Sequence, residues 1–223
     1  MTFIPRLLLP LGLLLPLGLL PALSGSLMFA PCPARAQTST DLFAPNYAHA
    51  PAISRLLHWP RLPVRVFVAT HSPEEEQNGK DALAGFDDWV HATGGVVRYL
   101  VVNAPDKADI TVRFTTLETV PGGKGAVGMT DIQYVGAALR HAEMRLATGD
   151  TLPGELRSVA AHEFGHALGI QGHSDDPADL MCRAAPRYYS ADHEHLPSPA
   201  RAITPRDLNT LKLCYPRLFG AGD

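Results

Sequence analysis

The stretch from His162 to Met181, H-E-F-G-H-A-L-G-I-Q-G-H-S-D-D-P-A-D-L-M, constrains this chain more than any other. Its opening, His162-Glu163-Phe164-Gly165-His166, suits a helix. Positions i and i+4 of a helix lie one turn apart on one face, so both imidazoles can meet one zinc ion. Glu163 falls about 100° round from His162, near enough to the metal to hold a water without ligating it. Gly169, three residues past His166, fits a helix end where the backbone turns through positive φ. His173 then offers a third imidazole, which completes a three-ligand site with one open position. Met181 stands eight residues further on. A bare H-E-x-x-H also arises by chance on structural helices. The ordered addition of Gly169, His173 and Met181 separates this stretch from that reading.

These residues resemble the metzincin metalloproteases, and among them the matrixins (matrix metalloproteinases). The family pattern is H-E-x-x-H-x-x-G-x-x-H followed by a methionine turn. His162, Glu163, His166 and Gly169 fall on it directly. Its eleventh position is Gly172 and His173 stands twelfth, which reads as a one-residue insertion with Gly172 absorbing the extra backbone. Asp179-Leu180-Met181 resembles the family's L-M-Y-P turn, with Cys182 in the tyrosine's place. The resemblance implies an α+β fold: a mixed twisted β-sheet with a packed helix, a buried active-site helix, and a C-terminal subdomain carrying the methionine turn and a final helix. It implies one catalytic Zn2+ on His162, His166 and His173, Glu163 as general base, Met181 as an apolar floor, and a protein or peptide substrate. It further implies that substrate pairs with an edge strand from Gly125 to Thr130, where Gly125, Ala126, Val127 and Gly128 leave backbone groups accessible. The loop from Leu180 to about Ser190 is expected to wall the pocket after the cleaved bond. Some metzincins add a tyrosine ligand two residues after the methionine. Arg183 occupies that position, so the role is not carried over.

Residues 1–36 read as a secretory signal peptide: Arg6, a leucine-rich run from Leu7 to Leu20, then Ala34-Arg35-Ala36 before Gln37. A membrane anchor is the rival, but Pro10, Pro16 and Pro21 make a poor spanning helix. The expected destination is therefore secreted or periplasmic, with no stable membrane association after cleavage. The mature chain has 223 − 36 = 187 residues, enough for one core. The leader holds two basic and no acidic residues, so formal charge moves from −3 to −5, which leaves no electrostatic footprint for nucleic acid. With Cys32 removed, Cys182 and Cys214 have one possible pairing, a bridge worth roughly 3–4 kcal/mol by loop entropy. Two buried thiols are the alternative. A monomer is expected, and the matrixins' latency cysteine has no counterpart here.

Along the mature chain, residues 37–59 are rich in Pro, Ala, Ser and Thr and read as a flexible lead-in to a domain spanning 60–223. Leu62 to Thr70 alternates as a strand. Ser72-Pro73-Glu74 starts a helix expected to reach about Ala92, burying Leu83, Phe86, Trp89 and Val90. Val96–Val102 and Ala108–Thr115 read as strands, and Leu139–Ala147 as another with Ala142, Met144 and Leu146 inward. Leu156, Ala160, Phe164 and Ala167 form the buried side of the active-site helix. Thr204-Pro205-Arg206-Asp207 caps the last one. Ca2+ at Asp175, Asp176 and Asp179 is one reading, and a solvated acidic loop the other. His141, and the pair His193 and His195, read as solvated residues rather than a second metal site. A zinc-bearing binding module without turnover competes with the protease reading. Glu163 discriminates, because a scaffold has no use for a carboxylate beside the metal's water.

Overall fold

In the computed structural model, which describes residues 42–116, 127–148, 155–183 and 202–220, the elements follow in a fixed order. They are β1 (Ile53–Leu56), β2 (Val64–Val68), α1 (Pro73–Ala92), β3 (Tyr99–Val101), β4 (Ile110–Thr115), β5 (Gly128–Val135), β6 (Ala138–Ala147), α2 (Glu155–Leu168), β7 (Ile170–Gly172) and α3 (Pro205–Cys214). Short 3-10 turns occupy Pro105–Lys107 and Pro216–Phe219.

Five strands form one mixed sheet in the order β3-β2-β4-β6-β5. The first three pairings are parallel, and β5 runs antiparallel to β6. Alternation explains the inner face: Val64, Val66, Ile110, Val112, Ala142, Met144 and Leu146 are fully buried. Leu139 is buried too, although it falls on the opposite parity of β6. A bulge resolves this, because Gln133 pairs His141 while Tyr134 pairs Leu139, leaving Arg140 as the extra residue.

Helix α1 matches its sequence signals at both ends. Ser72 Oγ accepts from Glu75 N, Pro73 fills the first turn, and Thr93-Gly94-Gly95 ends it with both glycines at positive φ. Its buried face is Gly79, Ala82, Gly85, Phe86 and Trp89, with Leu83 and Val90 half-buried. Gly85 is a contact point between helices. A Cβ there would lie 2.5 Å from Arg157 O and 2.7 Å from Ala161 N, so glycine lets α1 and α2 approach backbone to backbone. Trp89 Nε1 donates to Ala161 O at 2.8 Å, and Phe86 stacks on Phe164 at 4.2 Å between centroids. As expected, α2 turns Leu156, Ala160, Phe164 and Ala167 into the core.

The lead-in expectation needs correction. Residues 42–59 are built into the fold rather than loosely preceding it. Tyr47, Leu57 and Trp59 are core residues, and β1 pairs antiparallel with β7. Leu57 N donates to Gly169 O at 2.9 Å and Trp59 Nε1 to Ala167 O at 2.9 Å, so this arm closes the end of α2. A run without hydrophobic periodicity hides such burial, because its few apolar side chains serve partners more than 100 residues away. The expected strand at Val96–Val102 also shrinks to Tyr99–Val101. The leader lies outside the described residues, and no helix among them is long and apolar enough to cross a membrane.

Candidate metal centre

His162 and His166 sit one turn apart on α2, and Gly169 then breaks the helix at φ +131°. A Cβ on Gly169 would overlap Leu57 O, and one on Gly172 (φ +124°) would overlap Ala52 O. Glycine is therefore required at both positions by conformation and by the arm's proximity. The chain folds back through β7 and delivers His173. The ligand nitrogens of His162, His166 and His173 all lie within 4.8 Å of one another. Among the described residues this is the group of His, Cys, Asp and Glu able to hold a metal ion.

Backbone carbonyls set the imidazole tautomers. His162 Nδ1 lies 2.7 Å from Leu180 O, and His166 Nδ1 lies 2.7 Å from Ile170 O. A carbonyl only accepts, so each Nδ1 carries the proton and each Nε2 keeps its lone pair for a metal. Burial holds His166 below the usual histidine range. Burial, with positive charge at His166 and Arg183, pushes His173 down to about 4. Neutral imidazole is the ligating form. Three imidazoles, two of them oriented by main-chain acceptors, are a donor set that zinc fits.

Glu163 is only 6% exposed. Burial pushes its carboxyl up to about 7, opposed by a hydrogen bond from Thr130, whose Oγ1 lies 2.6 Å from Oε2. Met181 is fully buried, and a Cβ on Gly165 would overlap its Sδ. The glycine inside H-E-F-G-H thus makes room for the methionine.

Asp207 holds the methionine turn in place. Its carboxylate accepts from Leu180 N at 2.8 Å, Met181 N at 3.2 Å, Tyr47 OH at 2.8 Å and Thr204 N at 2.8 Å. The capping signal at Thr204 was legible in the sequence, but its second task was not. Helix α3 buries Asp207, Thr210, Leu211 and Cys214, while Leu208 and Leu213 stay half-buried.

Two further expectations change. No disulfide joins Cys182 to Cys214. The Cys214 thiol is buried 3.9 Å from Thr210 O, and the Cys182 thiol faces Arg183 O at 3.6 Å, so the two sulfurs serve different surroundings. Asp175, Asp176 and Asp179 converge on Arg206 at 2.8, 3.3 and 3.2 Å, so one guanidinium offsets part of their charge at the place where Ca2+ is one reading. Asp179 is also buried, accepting from Thr204 Oγ1 at 2.6 Å, which excludes a fully solvated loop.

Of the expected substrate strand, Val127 and Gly128 are described and Gly125 and Ala126 lie outside the described residues. Val127 O accepts from Ala147 N at 2.9 Å, and β5 is an edge of the sheet. The pocket-wall loop beyond Arg183, with Tyr188, His193 and His195, also lies outside the described residues. His141 is on β6, opposite Gln133, and takes no part in the histidine cluster.

A family model described as matrixin, Peptidase M10, matches residues 59–199. No curated protein matches the chain.

Proposed function

Because this chain belongs to the matrixin family, we propose that it is a secreted zinc-dependent metalloendopeptidase in which Glu163 is the general base. The observation that carries the reading is the convergence of His162, His166 and His173 beside a buried carboxylate. The three histidines would hold the ion through Nε2 of His162 and His166 and a ring nitrogen of His173. When bound, zinc acts as a Lewis acid that acidifies water and polarises the scissile carbonyl.

Glu163 takes the proton from the attacking water and passes it to the departing amine. Burial raises the proton affinity of its carboxyl, which favours the accepting half of that task. The outer edge of β5 receives the substrate chain as an added strand, with Gly128 supplying main-chain groups, since the Val127 carbonyl already pairs with Ala147 N on the inner side. Met181 supports the histidines from below. The signal peptide and export remain part of this proposal, as do Gly125 and Ala126 in the substrate strand.

A zinc-bearing binding module would leave Glu163 idle. Burying an unused carboxylate costs stability without return, so the site favours the enzyme. The test is cleavage of unfolded casein by the purified protein before and after chelation. Activity that disappears with the metal and returns on adding about one zinc per chain is the expected result. Activity that survives full removal of metal contradicts it.

A further inference from the structure

The strand that receives substrate also grips the proposed base from its inner side. Thr130 Oγ1 lies 2.6 Å from Glu163 Oε2 and 3.2 Å from the Glu163 carbonyl. On the same face of β5, two residues earlier, Gly128 lies against the other carboxylate oxygen. A Cβ on Gly128 would sit 2.7 Å from Oε1, 2.8 Å from Glu163 Cγ and 2.9 Å from Val159 Cγ1. A glutamate carboxylate rotates in a broad, nearly two-fold torsional well, so burial alone does not fix its plane. Threonine's branched Cβ restricts χ1, which fixes where its hydroxyl oxygen stands, and the hydroxyl proton turns to the nearer acceptor.

We propose that Thr130 is the positioning residue of Glu163, fixing the carboxylate plane by its hydrogen bond to Oε2, while the missing side chain of Gly128 keeps clear the space that carboxylate occupies. This rests on Glu163 being the general base. Proton transfer requires the acceptor within hydrogen-bond reach of the attacking water, and a carboxylate swung about its last torsion loses that alignment. The zinc histidines and the peptide-binding edge do not depend on the Thr130 hydroxyl. Its removal therefore acts on turnover and not on metal or substrate binding.

The experiment compares the parent full chain with T130V, T130S, G128A and E163A. Each is measured for zinc per chain, thermal midpoint, and kcat and KM on one peptide. T130V, nearly isosteric without the hydroxyl, is expected to keep the parent's zinc and KM and to lose about tenfold in kcat. T130S restores the donor and is expected within about threefold of the parent. G128A is expected to lose kcat although Thr130 is intact. If T130V does not fold, T130A replaces it under the same criteria. A T130V kcat within about twofold of the parent overturns the proposal. So does a loss that serine fails to restore, or one that follows zinc content. A parent that does not cleave, or an E163A that cleaves like the parent, strikes instead at the assignment of Glu163 itself.

Discussion

At the scale of single residues, the glycine and the acid nearest the methionine turn make the sharpest claims. Gly165 faces Met181 so closely that G165A must displace the thioether or the helix. The expected outcome is a lowered thermal midpoint together with weaker zinc retention, read by competition with a chromogenic chelator. Asp207 is fully buried and satisfies the Leu180 and Met181 amides. Leu180 O in turn accepts from His162 Nδ1, so the carboxylate reaches a candidate metal ligand through one peptide. D207A strands those amides in the interior and is expected to destabilise by about 3 kcal/mol or more, measured by urea unfolding. The cysteines make a simpler claim. Burial pushes the Cys214 thiol up to about 12, whereas Cys182 is half-buried. Alkylation of the native protein without reductant should label Cys182 first, and Cys214 only on unfolding. A mass showing neither thiol reactive after unfolding would restore the disulfide.

At the scale of elements, the sequence was informative where signals are local. Ser72, Pro73, the first-turn acids and Gly94-Gly95 bracket α1 because caps act within a few residues. Spacing along one helix likewise placed His162, Glu163 and His166, and His173 joined them despite standing one position late. What stayed hidden depends on contacts between distant segments. Thr130 lies 33 residues from Glu163 and looks like an ordinary strand threonine. Tyr47 lies 160 residues from Asp207, and nothing in a Pro- and Ala-rich run announces that bond. The arm therefore yields the clearest prediction at this scale. W59A removes a nearly buried indole and its bond to Ala167 O, and is expected to cost about 3–5 kcal/mol. A chain truncated to begin at residue 60 is expected to lose cooperative thermal unfolding, since β7 would lack its partner strand.

At the scale of the whole molecule, a mixed sheet on one side and the α2–β7–methionine turn on the other are joined by contacts that each serve the site. Phe86, Trp89 and Phe164 lock α1 to α2, and Asp207 and Tyr47 tie α3 and the arm to the turn. One ion pair away from the site gives this assembly a pH signature. Burial pushes Asp109 up, but the Arg65 guanidinium and main-chain amide, with Arg61 nearby, hold it below its ordinary value of 3.8. A carboxyl depressed in the fold contributes stability above that value and loses it as pH falls through the folded pKa below it. D109N should therefore lower the thermal midpoint at neutral pH and flatten its fall in acid below about 3.8.

The central claim is that three histidines hold a zinc ion and that Glu163 beside them performs the proton transfer. The most direct measurement counts zinc in the parent and in E163A and follows peptide-bond cleavage by each under the same conditions. The account predicts about one zinc in both proteins and cleavage by the parent alone. A parent without zinc, or an E163A that cleaves as fast as the parent, would contradict it.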